Sequence, residues 1–172
     1  GLSQAQVPTD RGAVKLVVGF PAGGSADALA RLMADKLKDE LGTTVVVENR
    51  AGAGGQIAAD YVKGQPGDGL TLLLGTAHMM VMVPLTSKTV KYDAARDFKA
   101  VARISSFHEG VSLPISAPAN TLAQWLETAR ADPKSASYGV PAPGSIPQFI
   151  GYQLGLLTKT SLVPVPYRGT AP

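Results

Sequence analysis

Three short apolar runs, the first two each followed by a turn and then a helical pattern, organise the first half of the chain. Val14–Phe20, interrupted only by Lys15 and Gly19, predicts a buried strand. From Ser25 to Leu41 the apolar positions Leu29, Leu32, Met33, Leu37 and Leu41 recur at three- and four-residue steps, while Arg31, Asp35, Lys38 and Asp39 lie largely on the opposite face. This predicts an amphipathic helix, closed by Gly42 as a C-terminal cap. Thr43–Glu48 predicts a second strand and Asn49–Gly55 a glycine-rich turn. Gln56–Lys63 predicts a short helix with Ile57, Ala58, Tyr61 and Val62 on one side, and Gly64 closes it. Leu70–Gly75 predicts a third strand, apolar enough to be buried on both faces. Strands joined by helical crossovers make a parallel sheet with helices on both sides, and ligands of such sheets gather at the carboxyl ends of the strands. Phe20–Ser25 and Thr76–His78 occupy two such ends.

Pro84–Phe98 is polar and irregular, which places a domain crossing near Asp97–Arg103, and beyond it the pattern begins again. Val101–Ser106 and Gly110–Ser116 are expected strands. Thr121–Arg130 is an expected helix with Leu122, Trp125, Leu126 and Ala129 on one stripe, stopped by Pro133. Ser137–Val140 and Leu162–Pro166 are further expected strands. Between them VPAPGSIPQF repeats the strand, glycine/proline loop and helix order of the first junction. Gly1–Gly12 reads as a flexible lead-in.

The two junctions carry the candidate chemistry. Gly23 and Gly24 let the backbone turn sharply and approach a ligand, and the helix that follows offers unpaired N–H groups and the positive end of its dipole. An anion fits that place. Asp27, three residues after Gly24 and four before Arg31, stabilises a helix N-terminus on the bland reading; turned inward, it would repel a second ligand carboxylate.

Composition narrows the class. Of 172 residues, 45% are hydrophobic and 17% charged, which is globular rather than disordered. The net charge of +3 comes from 16 basic and 13 acidic residues scattered along the chain, so a nucleic-acid partner is not expected. Cysteine is absent, which removes disulfides and thiolate metal sites. Leu70–Leu74 and Met79–Val83 are far too short to span a bilayer. Gly1–Arg11 lacks the apolar segment of a signal peptide, so the protein is either cytoplasmic or a leader has been removed.

Several chemistries fail on spacing. Gly19, Gly24 and Ser25 approximate a phosphate-binding loop, but the lysine that would reach the outer phosphates is missing. Gly52, Gly54 and Gly55 fail the dinucleotide pattern at Ile57. A nucleophile elbow around Ser25 would need glycine at Asp27. His78 and His108 are not spaced as a metal pair, and no metal, cofactor or catalytic residue is expected. The rival to a binding protein is a small α/β hydrolase or transferase using Ser25 or Ser145 with His78. An anion-sensing module is a weaker third alternative.

Five segments in order, VVGFPAGGSAD, VVVENRAGAGGQIAAD, GDGLTLLLGTA, YGVPAPGSIPQF and VPYRG, resemble the tripartite tricarboxylate transporter solute-binding proteins, the TctC or Bug group. The resemblance runs from about Val14 to the end. It implies the α/β type II periplasmic-binding-protein fold: two lobes with mostly parallel sheets flanked by helices, and a carboxylated solute bound between them without catalysis. It implies residues 1–99 as the first lobe and 100–172 as part of the second, in a protein that is monomeric when complete, lies in the periplasm after loss of its signal peptide, and serves the membrane subunits of a secondary transporter. Carried over by position, the solute is held by Phe20, Gly23, Gly24, Ser25 and Asp27, by Thr76, Ala77 and His78, and by Gly144, Ser145, Ile146 and Pro147, with Tyr167 at the next strand end. Family members are longer, their chains returning to complete the first lobe. A missing return segment is therefore expected here, with Val14, Val17 and Leu72 left exposed.

Overall fold

The computed structural model describes residues 12–169; the expected lead-in, Gly12 apart, lies outside the described residues. The chain divides into two compact units, one containing residues 12–98 with 168–169 and the other Lys99–Tyr167.

In the first unit, strands β1 (Val14–Val18), β2 (Val45–Asn49) and β3 (Thr71–Leu74) form a parallel sheet in the order β2-β1-β3, with Val14 opposite Val45 and Lys15 opposite Thr71. Helix α1 (Ser25–Leu41) covers one face and α2 (Gln56–Lys63) the other. The two-residue period of β1 divides the core accordingly. Leu16 and Val18 pack with Ala30 and Met33 of α1, while Val17 packs with Ala58 and Ala59 of α2 and with Met79. Because β1 is central and covered on both sides, Val14 and Val17 are 4% and 0% exposed. Leu72 is half-buried. The expected exposure of these three is therefore corrected. The expectation that β3 is buried on both faces also fails: β3 is an edge strand, and only Leu74 is buried. Gly42 ends α1 in the left-handed conformation, its N–H bonded to the Lys38 carbonyl at 3.0 Å. After β3 the apolar run coils into a π-helical turn, His78–Met82, continued by α3 (Val83–Thr86), so the helical structure extends into the stretch expected to be irregular.

In the second unit α4 (Leu122–Ala131) buries Trp125, Leu126 and Ala129 against Ala119, Ala136 and Leu162, but Leu122 is 46% exposed and drops out of the expected stripe. Strands β4 (Ser137–Val140) and β5 (Val163–Pro166) pair in parallel, with Ser137 opposite Val163, and α5 (Ile146–Thr158) connects them. Tyr167 N–H donates to the Val140 carbonyl at 2.8 Å. By the two-residue period Pro164 and Pro166 therefore fall on the outer edge of β5, where a residue without an N–H leaves no ladder donor missing.

The strands expected at Val101–Ser106 and Gly110–Ser116 do not form. Val101, Ile104, Phe107, Val111 and Ile115 are all exposed. Their β-branched and aromatic content favours a pleated surface, but propensity alone does not make a strand. No described strand lies beside them to accept a ladder.

Candidate functional site

The loop between β1 and α1 is fixed by Asp27. Gly23 adopts φ +88°, which favours glycine, and Gly24 caps the helix with φ −79° and ψ 170°, open to any residue. The expectation that both glycines are conformationally required thus holds for Gly23 and is corrected for Gly24. Asp27, the third residue of α1, is 3% exposed. Its Oδ2 accepts from Gly23 N–H and Arg31 Nε, both at 2.9 Å, and its Oδ1 accepts from Asn49 Nδ2 at 3.0 Å. The same Asn49 amide donates to the Phe20 carbonyl at 3.0 Å, so the end of β2 is tied to the β1–α1 loop. These bonds, that from Arg31 first, then Gly23 and Asn49, hold the Asp27 carboxyl well below the usual carboxylate range. An inward-turned Asp27 that repels a second carboxylate is thus corrected: its charge is spent on Gly23, Arg31 and Asn49. Asn49 read only as the start of a turn in the sequence, because its partners lie 22 and 29 positions away.

A depressed folded pKa stabilises above the unfolded value and is lost as pH falls toward the folded one. Thermal melts of the parent and Asp27→Asn should therefore differ most near neutral pH, with the parent higher. The gap should close as pH falls from about 5 to about 2. A gap that stays constant across that window would mean that the aspartate charge is not what the loop uses.

Thr76 Oγ1 accepts from Met79 N–H at 3.2 Å and so starts the π-helical turn, while Ala77 is exposed. His78 lies beneath Gly54: a Cβ at Gly54 would come within 2.8 Å of Nε2. Both ring nitrogens are buried without a hydrogen-bond partner, and burial pushes the imidazole below its ordinary value. It is paired with no serine hydroxyl, which leaves the hydrolase alternative without a nucleophile–base contact. The structure thus brings Phe20, Gly23, Gly24, Ser25 and Asp27 into one loop at the carboxyl edge of the first sheet, which the Thr76–His78 turn shares at the end of β3.

In the second unit the β4–α5 junction repeats the first. Gly144 has φ +69°, Ser145 is the N-cap, and Ile146 and Pro147 open the helix. Gln148 Oε1 accepts from Gly144 N–H at 2.6 Å, as Asp27 does from Gly23. Ser145 is 2% exposed, and its Oγ has no hydrogen-bond partner. Tyr167 lies at the end of β5, half exposed, with its ring beside Gly139. Among the described residues no cluster of three or more histidine or acidic side chains offers a metal site.

A parallel α/β fold with glycine-turned helix N-termini at strand carboxyl ends is a frame suited to holding an anion. The profile of the tripartite tricarboxylate transporter family receptor (TctC) matches residues 29–172, and the chain belongs to that family. Its relatives include BugT of Bordetella pertussis (strain Tohama I), 31% identical over 92% of this chain and 49% of that protein. They also include the UPF0065 protein of the tcbD-tcbE intergenic region of Pseudomonas sp. (strain P51), 33% identical over 91% of this chain and 46% of that protein. Among solved structures, one described as R. palustris Rpa4515 with adipate is 37% identical with TM-score 0.89, covering 95% of this chain and 55% of that one. The periplasmic binding protein BugD is 29% identical with TM-score 0.75, covering 93% and 53%. The fold is that of the periplasmic binding proteins, and the family is one of solute receptors, not enzymes. The chain spans about half the length of the curated relatives it matches.

Proposed function

We propose that this chain belongs to a periplasmic receptor that captures a small carboxylate-bearing solute for the membrane subunits of a secondary transporter, with no catalytic step. The observation that carries this reading is Ser145: a buried hydroxyl, bonded to nothing, at the N-terminus of a 13-residue helix. A buried polar group without a partner costs about 1–3 kcal/mol, and a ligand that accepts from it removes that cost. The helix N-terminus makes the favoured acceptor an anion. The α1 loop, with its left-handed glycine and glycine N-cap, supports the same reading. So does the adipate of the 37% identical neighbour, extended here to carboxylates as a class. In this reading residues 1–99 contribute Phe20, Gly23, Gly24, Ser25, Thr76, Ala77 and His78, with Asp27 as the residue that sets the loop. Residues 100–172 contribute Gly144, Ser145, Ile146, Pro147 and Tyr167.

Calorimetric titration of the chain with succinate and adipate should give saturable binding, and neutral acetamide should give none. Ser145→Ala should weaken the acids by about tenfold or more, the value of one hydrogen bond to a charged group. No saturable binding of either acid, or equal affinities for parent and Ser145→Ala, overturns the reading.

A further inference from the structure

Among the described residues three helices begin alike, and one of them leaves a group unused. In α1, α4 and α5 the third helical side chain reaches back four positions to a backbone N–H: Asp27 to Gly23 at 2.9 Å, Gln124 to Asn120 at 2.7 Å and Gln148 to Gly144 at 2.6 Å. At α4 the N-cap hydroxyl completes the arrangement, Thr121 Oγ1 accepting from Gln124 N–H at 3.2 Å. At α5 the N-cap Ser145 carries the same kind of group and caps nothing. The sequence Ser-x-x-Gln supplies a capping pair by itself. That the Ser145 hydroxyl is buried and unpartnered is therefore decided by its setting, not by local sequence.

The setting is built around Gln148. Gly144 N–H can only donate, so Oε1 must face it, and Nε2 is left to donate to Tyr152 Oη at 2.7 Å. Tyr138 Oη donates to the main-chain carbonyl of Gln148 at 3.0 Å. The residue is held at three points, and the turn bearing Ser145 is held with it. Asp27 and Arg31 of α1 stand four apart, as Gln148 and Tyr152 do in α5. The charge on α1 is matched by a guanidinium. The pair on α5 is neutral throughout.

We propose that Gln148 is a positioning residue of the α5 site: it occupies the Gly144 N–H and the Tyr152 hydroxyl, holds the turn whose unpartnered Ser145 Oγ is there to donate to an anionic ligand, and by its neutrality admits that ligand's carboxylate. The proposal rests on the carboxylate-binding reading above. A carboxylate at position 148 would be a negative charge whose partner four residues on is the neutral Tyr152 rather than a guanidinium such as Arg31, next to the hydroxyl meant for an anion.

Gln148→Glu tests this, because glutamate accepts from both Gly144 N–H and Tyr152 O–H and so preserves the contacts. A negative charge in the first turn suits the helix dipole, so the melting temperature should not fall. Affinity for succinate and adipate near neutral pH should nevertheless fall by about tenfold or more at low salt, and recover in part at about 0.5 M salt. Gln148→Met, neutral but unable to make the contacts, should lower the melting temperature and weaken both acids without recovery in salt. Parent-like binding by Gln148→Glu, or a loss that follows its melting temperature and ignores salt, overturns the proposal. If the unsubstituted chain binds neither acid, the carboxylate reading itself fails and takes this role with it. That outcome is separable because it appears before any substitution is made.

Discussion

Gly55→Ala should cost about 2–5 kcal/mol of stability, combining the strain of a left-handed non-glycine residue with overpacking of a closed core. Gly55 has φ +93°, and a Cβ there would come within 2.5 Å of Met79 Cγ and 2.7 Å of its Sδ. Met79 is fully buried, so its side chain can give way only by displacing its core neighbours. On its far side a Cβ at Gly19 would meet Met79 Cε at 3.0 Å and Gly55 Cα at 2.9 Å. The end of β1, the turn before α2 and the turn after β3 are thus packed through two glycines and one methionine. The Tyr92 hydroxyl, donating to the Met79 carbonyl, pins the last of these. Urea denaturation with a shared slope measures the loss. Gly67→Ala, where a Cβ meets nothing within 4 Å, is the control and should change stability by less than about 0.5 kcal/mol. A loss below about 1 kcal/mol for Gly55→Ala would show that the methionine yields more readily than its burial implies.

Gly151→Ala should be the second most damaging change, against its own local tendency. In an exposed helix alanine gains about 1 kcal/mol over glycine. Here a Cβ at Gly151 would sit on the Tyr138 ring, at its Cζ, Cε2 and hydroxyl. The ring would have to leave the notch and give up its bond to the Gln148 carbonyl, separating α5 from β4. A net loss of about 1–3 kcal/mol is expected, with weaker carboxylate binding because the Ser145 turn is held through Gln148. The double substitution with Tyr138→Leu decides the mechanism: with the ring gone, Gly151→Ala should cost close to nothing or stabilise. Additive losses would place the cost elsewhere than in the tyrosine notch.

The sequence by itself determined what depends on short range. Periodicity and punctuation placed β1, α1, α2, α4, β4 and β5 close to where they form. The glycine-turned junctions at Gly23 and Gly144 were legible because a left-handed turn before a helix has few alternatives in side-chain chemistry. Only the tertiary structure decided which groups at those junctions are committed and which are free. Asp27 is committed because Asn49 and Arg31 converge on it, and Asn49 lies 22 residues away along the chain. Ser145 is left without a partner although its sequence spells the same cap that Thr121 makes, and although Gln148 reaches back to Gly144 as Gln124 does to Asn120. The apolar stretch from Val101 to Ile115 has strand composition and no strand, because a strand is defined by the neighbour that accepts its hydrogen bonds. Local pattern specifies the conformations a segment favours; long-range partners determine whether its polar groups are satisfied within the fold or left for a ligand.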